Sequence, residues 1–143
     1  MKPSYKQLDG INIQWPWSEL LLSGVKTIET RSYPLPKRLY GIELAVIETP
    51  GKRGNREAGI GKARIIGTII FSGSYRYSSK SQWVREYGKH RVPQDDGLYS
   101  YRSDKDKWAW VVEKFKKLDR PAPPPAKRGI IFAKNCLVPA KYK

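Results

Sequence analysis

The sequence predicts an α+β, mainly β fold: a small closed or nearly closed β-barrel of about five to six strands with one or two short helices at its rim. Three observations lead there. Apolar runs of strand length recur along the chain, the strongest being Ala63 to Ser72 (ARIIGTIIFS), β-branched and apolar nearly throughout. The one pattern that reads first as a helix, Ser18 to Ser23, is short. Connections are tight and marked by Gly and Pro, giving the order β-α-β-β-β-(α)-β-β.

In chain order, Lys2 to Gly10 is polar and reads as a loose lead-in, and Ile11 to Trp15 then alternates as a half-buried strand does. Pro16 suits a first helical position, Leu20 to Leu22 give Ser18 to Ser23 its apolar bulk, and Gly24 can take the left-handed conformation that ends a helix. In the strand that follows, Thr27, Glu29 and Arg31 project from one face and Ile28 from the other, toward the core. On a regular strand Lys26 would point away from Glu29, so the three charged heads meet only if the turn at Gly24-Val25 re-aims Lys26. Pro34-Leu35-Pro36 breaks this strand, and Gly41 to Ile47 forms the next.

Thr49 to Lys62 holds four glycines and four basic residues and reads as a mobile basic loop. It has neither a Gly-Lys-Ser/Thr ending nor a following helix, which argues against a nucleotide-triphosphatase loop. Its Lys52, Arg53 and Arg56 could instead lie along a phosphate backbone. Ala63 to Ser72 belongs in the centre of the sheet. From Ser74 to Arg102 six basic residues are interleaved with six aromatic ones. Ser81 could cap a helix, Gln82 to Tyr87, with Trp83 and Tyr87 on one packing face. Cations mixed with rings also suit single-stranded nucleic acid, so Tyr75, Arg76, Tyr77, Arg85, Lys89 and Arg91 are candidate contacts. His90, the single histidine, lacks metal-binding or catalytic partners and is expected in a solvated loop. Trp108 to Phe115 alternates as a strand, with a helix as the rival reading. Pro121 to Pro125 forms a stiff connector and Gly129 to Lys134 a last strand.

The spacing Gly24-x-Lys26-x-x-Glu29-x-Arg31, preceded by Pro16-Trp17 and followed far downstream by Trp108-Ala109-Trp110-Val111, a proline-rich loop and Gly129 to Ala133, resembles the ASCH domain, a branch of the PUA-like superfamily. The similarity covers most of the chain and is least from about Gly51 to Arg102. It implies a PUA-like barrel and, from relatives that read RNA or modified bases, a cleft for a flipped or splayed base: Trp15 or Trp17 to stack on it, Glu29 to accept from an exocyclic amine, and Lys26 and Arg31 to bond carbonyl or phosphate oxygens. Other relatives are acetylcytidine amidohydrolases or ribonucleases. Lys26 matches the lysine of the former, whereas Glu29 stands where their hydroxyl nucleophile would be, with Thr27 and Thr30 a strand step away. Three readings of Lys26, Glu29 and Arg31 therefore stand side by side: a structural ion-pair cluster, a base-binding cleft, and a catalytic set with Lys26 as base, Glu29 as acid and Arg31 steadying an anionic transition state.

Composition narrows the partner. Lysine and arginine number 28 against 13 acidic residues, a net charge of +15, far beyond what solubility requires. No long apolar run or basic amphipathic helix suits a membrane, so RNA or single-stranded nucleic acid is the expected partner. A single cysteine, Cys136, leaves no internal disulfide and no cysteine-rich metal site. The expectation is one domain over residues 1–143, monomeric and cytoplasmic, with no secretion signal after Met1-Lys2-Pro3-Ser4, no metal and no cofactor.

Overall fold

Six strands make one sheet in the order β2-β5-β4-β3-β1-β6 in a computed structural model that describes residues 4–97 and 99–140, save the side chain of Lys52. The strands are β1 (Tyr5–Gln14), β2 (Ile28–Arg31), β3 (Glu43–Thr49), β4 (Arg64–Arg76), β5 (Trp108–Ala122) and β6 (Phe132–Pro139). β1 and β3 run parallel and every other neighbouring pair is antiparallel. The strongest apolar run of the sequence, in β4, lies centrally between β5 and β3, as its composition requires. In β3, Leu44 and Val46 join one apolar cluster while Ala45 and Ile47 join another, so the strand is buried on both faces. That double burial is why residues 44–47 are apolar without a break.

The expected barrel does not close. β2 and β6 are the two edges of the sheet, and no backbone ladder joins them among the described residues. The sheet nevertheless curls until side chains span the seam. Trp110 of β5 stacks on Phe132 of β6 at 6.3 Å between centroids. Arg31 of β2 donates from Nη2 to the carbonyl of Asn12 in β1 at 2.9 Å. The four residues of β2 are too few to ladder across, and a cleft occupies the gap.

Four short helices surround the sheet rather than one or two: α1 (Trp17–Leu22), α2 (Gly51–Ala58), α3 (Lys80–Arg85) and α4 (Tyr87–His90), with a 3-10 turn at Lys37–Leu39. The expected mobile loop at 49–62 is thus largely helical. Gly59, at φ 67°, gives α2 its left-handed stop. Gly54 lets the helix close on Trp15, since a Cβ there would stand 3.2 Å from the Trp15 Cβ. Ser79, not Ser81, caps α3 by accepting from the Gln82 amide at 3.1 Å. Trp83 packs in the core as expected, whereas Tyr87, past the break at Glu86, is exposed. β1 begins within the supposed lead-in, β5 runs on through Pro121, and β6 starts at Phe132 rather than at 129. No described helix is long and apolar enough to cross a membrane.

Candidate functional site

The site is built where α1 stops. Gly24, at φ 81°, turns the chain, and the Lys26 amide donates back to the Leu20 carbonyl at 2.9 Å. Lys26 therefore lies before the strand, which begins at Ile28. Its side chain runs inward with 1% exposure, and Nζ meets the His90 carbonyl at 2.5 Å and Glu29 Oε1 at 3.7 Å. β2 then pairs Glu29 with Trp110 and Arg31 with Trp108, which puts both charged heads on one face. Glu29 Oε2 accepts from Arg31 Nη2 at 2.9 Å and Nε at 3.2 Å. The turn does re-aim Lys26, and three ionic heads converge.

Electrostatics give these heads different tasks. Burial pulls the Lys26 pKa down to about 8 against the attraction of Glu29, with Arg31 and Lys107 adding to the fall. For Arg31, burial also disfavours the charge, but Glu29 and Tyr33 outweigh it and raise the pKa. Arg31 directs its donors at Glu29, the Asn12 carbonyl and the Tyr33 hydroxyl. It holds Glu29 in place, while an ammonium with three donors and two close acceptors can still bond a ligand.

Above this floor opens a cleft of about 620 Å³, lined by Lys26, Glu29 and Arg31 together with Trp17, Tyr99, Arg128 and Ile130. Lys26 Nζ lies 5.4 Å from the Trp17 ring centroid, and Tyr99 meets Trp17 edge-on at 5.9 Å. The Tyr99 hydroxyl donates to Gln14 Oε1 at 2.5 Å. Asn12 Nδ2 donates to the carbonyls of Gly129 and Ile130 at 2.8 and 3.1 Å, which fixes the opposite lip. Ile130 stands there 97% exposed.

Other expected contacts are distributed differently. Trp15 lies outside this cleft, in a neighbouring hollow of about 400 Å³ shared with Trp17 and Tyr99, its ring under Arg53 at 6.0 Å. Thr27 is exposed at the end of the turn and its amide bonds the Lys89 carbonyl. Arg56, Arg76, Arg85, Lys89 and Arg91 are exposed, Arg76 beside Asp106 and Lys89 beside Glu86. Tyr75 is half-buried with its hydroxyl on Glu86, and Tyr77 is 3% exposed. Tyr77 offers no face to a base. The expected contact of Lys52 lies outside the described side chains.

His90 corrects the sequence reading most sharply. It is fully buried at the end of α4, stacked on Trp83 at 4.2 Å, and its backbone oxygen seats Lys26. Asn12, Gln14, Tyr99 and Arg128 also went unread. They are single polar residues from distant segments, and only the burial of their neighbours could have signalled them. Among the described residues no cluster of His, Cys, Asp and Glu could hold a metal.

The architecture is an open, curled six-stranded sheet with short helices around it. No family model and no curated protein matches the sequence. Solved structures do. The ASCH protein of Zymomonas mobilis superposes with a TM-score of 0.60 at 16% identity, covering 80% of this chain and 72% of that one. Two single-residue variants of it give 0.60 and 0.56 at the same identity, covering 80% of this chain and 74% and 72% of theirs. The chain has an ASCH domain fold.

Proposed function

We propose that this ASCH fold binds RNA or single-stranded nucleic acid and admits a base to the cleft beside Trp17. The observation that carries this reading is the convergence of Lys26, Glu29 and Arg31 on a hollow of about 620 Å³ in a chain of net charge +15. Two cations and one carboxylate leave the floor net positive, which favours an acceptor-rich or anionic ligand. Trp17, 8% exposed, and Tyr99, set edge-on to it, bring aromatic rings to the lining of the cleft, which suits a planar base. Lys26 donates to a carbonyl of the base, and Glu29, held by Arg31, accepts from an amine. Lys26→Ala and Glu29→Ala should each weaken binding of single-stranded RNA in a fluorescence-anisotropy titration, with the RNA recovered intact. Unchanged affinity in both variants would sink the reading.

The protonation of Lys26 gives a second test. A lysine that titrates near 8 donates to the ligand below that pH and loses a proton above it. Affinity should therefore fall between pH 7 and 9 with a midpoint at or above 8, because the bound ligand itself favours the ammonium. Lys26→Met should abolish that dependence.

The same lowered pKa favours one further reading of this cleft, hydrolysis of RNA or of a modified nucleoside. Neutral Lys26 would take the proton from an attacking water or hydroxyl. Product formation by the wild type that disappears in Lys26→Ala, followed by chromatography of the nucleosides and fragments, separates turnover from binding.

A further inference from the structure

Beyond the lip of the cleft lies a second groove, of about 400 Å³, between the 3-10 turn and β6. Arg38, Lys127, Arg128 and Lys134 line it with one carboxylate, Asp9. Arg128 and Gly129 line both hollows, so the groove begins where the cleft ends. The ridge between them is fixed rather than loose: Asn12 bonds the Gly129 and Ile130 carbonyls, Arg128 Nη1 reaches Asn12 Oδ1 at 3.4 Å, and the Gly129 amide donates to the Phe132 carbonyl at 2.9 Å.

The cations of this groove are not neutralised by carboxylates as several others are. Arg53, Arg64, Arg76, Lys89 and Arg102 each have a carboxylate within 4.0 Å. Among the described residues Arg38, Lys127 and Lys134 have none, although all three are exposed. Unneutralised cations along a concave surface attract phosphates and release their counterions. A concave groove admits a strand and fits a flat bilayer poorly.

We infer that this groove carries the sugar-phosphate backbone of the strand whose base enters the cleft, so that the strand passes over the Arg128 ridge toward Arg38 and Lys134. The inference rests on the base-binding reading of the cleft and adds a direction to it. Backbone contacts of this kind are indifferent to sequence, and they set the strand's register while the cleft does the reading.

The experiment compares wild type, Arg38→Glu/Lys134→Glu and Lys26→Ala by anisotropy with a mixed-sequence single-stranded RNA of twelve nucleotides across a range of salt. Loss of two phosphate contacts should weaken binding at least tenfold and flatten the slope of log affinity against log salt by about 1.4, at roughly 0.7 per contact for single strands. Arg38→Gln/Lys134→Gln, which removes charge without reversing it, should move in the same direction by less. Lys26→Ala should weaken binding while leaving most of the slope in place. Affinity and slope unchanged in both groove variants would overturn the inference and leave the cleft reading standing. If the groove variants weaken binding and Lys26→Ala does not, the groove is an isolated anion site and the cleft reading fails with the proposed path. Tighter binding to phosphatidylserine vesicles than to RNA, lost in the same groove variants, would assign the surface to a membrane and overturn it as well.

Discussion

Glu29→Ala should destabilise the fold by about 3–5 kcal/mol, the cost of removing one partner from a buried ion pair, and should do more damage than the loss of Lys26. Glu29 is 6% exposed and serves two cations at once, Arg31 at 2.9 Å and Lys26 at 3.7 Å. Without it a buried ammonium and a largely buried guanidinium face each other with only backbone carbonyls and the Tyr33 hydroxyl for partners. Lys26→Met, in contrast, leaves Glu29 paired with Arg31 and removes a charge that burial disfavours. Its cost should stay near 1 kcal/mol, the loss of the bond to the His90 carbonyl. Urea unfolding of the two variants measures the asymmetry. The deficit of Glu29→Ala should also shrink from pH 6 to pH 9. With its carboxylate partner gone, Lys26 titrates below about 8 and can shed its charge within the folded protein. Equal losses for the two variants would mean that the trio is solvated and not a buried cluster.

How far the sequence could be read follows from where each element gets its stability. The turn at Gly24 and the strand bearing Glu29 and Arg31 were legible because their signals are local: a residue free to take positive φ and a period of two. β4 was legible because a central strand must be apolar on both sides. α2 was not. Its sequence, GKRGNREA, has weak helix propensity, and the helix depends on Gly54 lying against Trp15. Closure of the barrel was misjudged because strand count does not reveal whether two edges meet, and here a cleft separates them. Of the site, the charged trio was visible as a motif. Its walls were not, since the bond between Tyr99 and Gln14 joins residues 85 apart in sequence and that between Asn12 and Gly129 residues 117 apart.

Stability should fall as the pH drops from 6.5 toward 4, and His90 should account for on the order of 3 kcal/mol of that fall. Both ring nitrogens are committed in the neutral form. Nε2 donates to the Trp83 carbonyl at 2.7 Å and Nδ1 accepts the Val92 amide at 3.0 Å, an assignment made from the hydrogen bonds themselves. A second proton would go to Nδ1, break the bond to Val92 and put a cation in a fully buried position near the Lys26 ammonium. Burial first, with Lys26 and Lys107 adding to it and the Trp83 carbonyl and Glu86 opposing, pulls the pKa down to about 4. The unfolded chain takes up its proton near 6.5. Between the two values the unfolded state therefore binds more protons, so stability is complete above 6.5 and is lost as pH falls through 4. Urea midpoints at pH 7 and pH 4.5 should separate clearly for wild type and much less for His90→Gln, which starts lower but lacks the titrating ring. The His90 imidazole resonances should stay at their neutral positions down to pH 5. Because the His90 carbonyl seats Lys26, protonation of the folded ring near pH 4 should reach the cleft. RNA affinity at constant salt should therefore hold from pH 6.5 to 5 in wild type and drop only as pH falls through 4, although every lysine and arginine on the surface keeps its charge there.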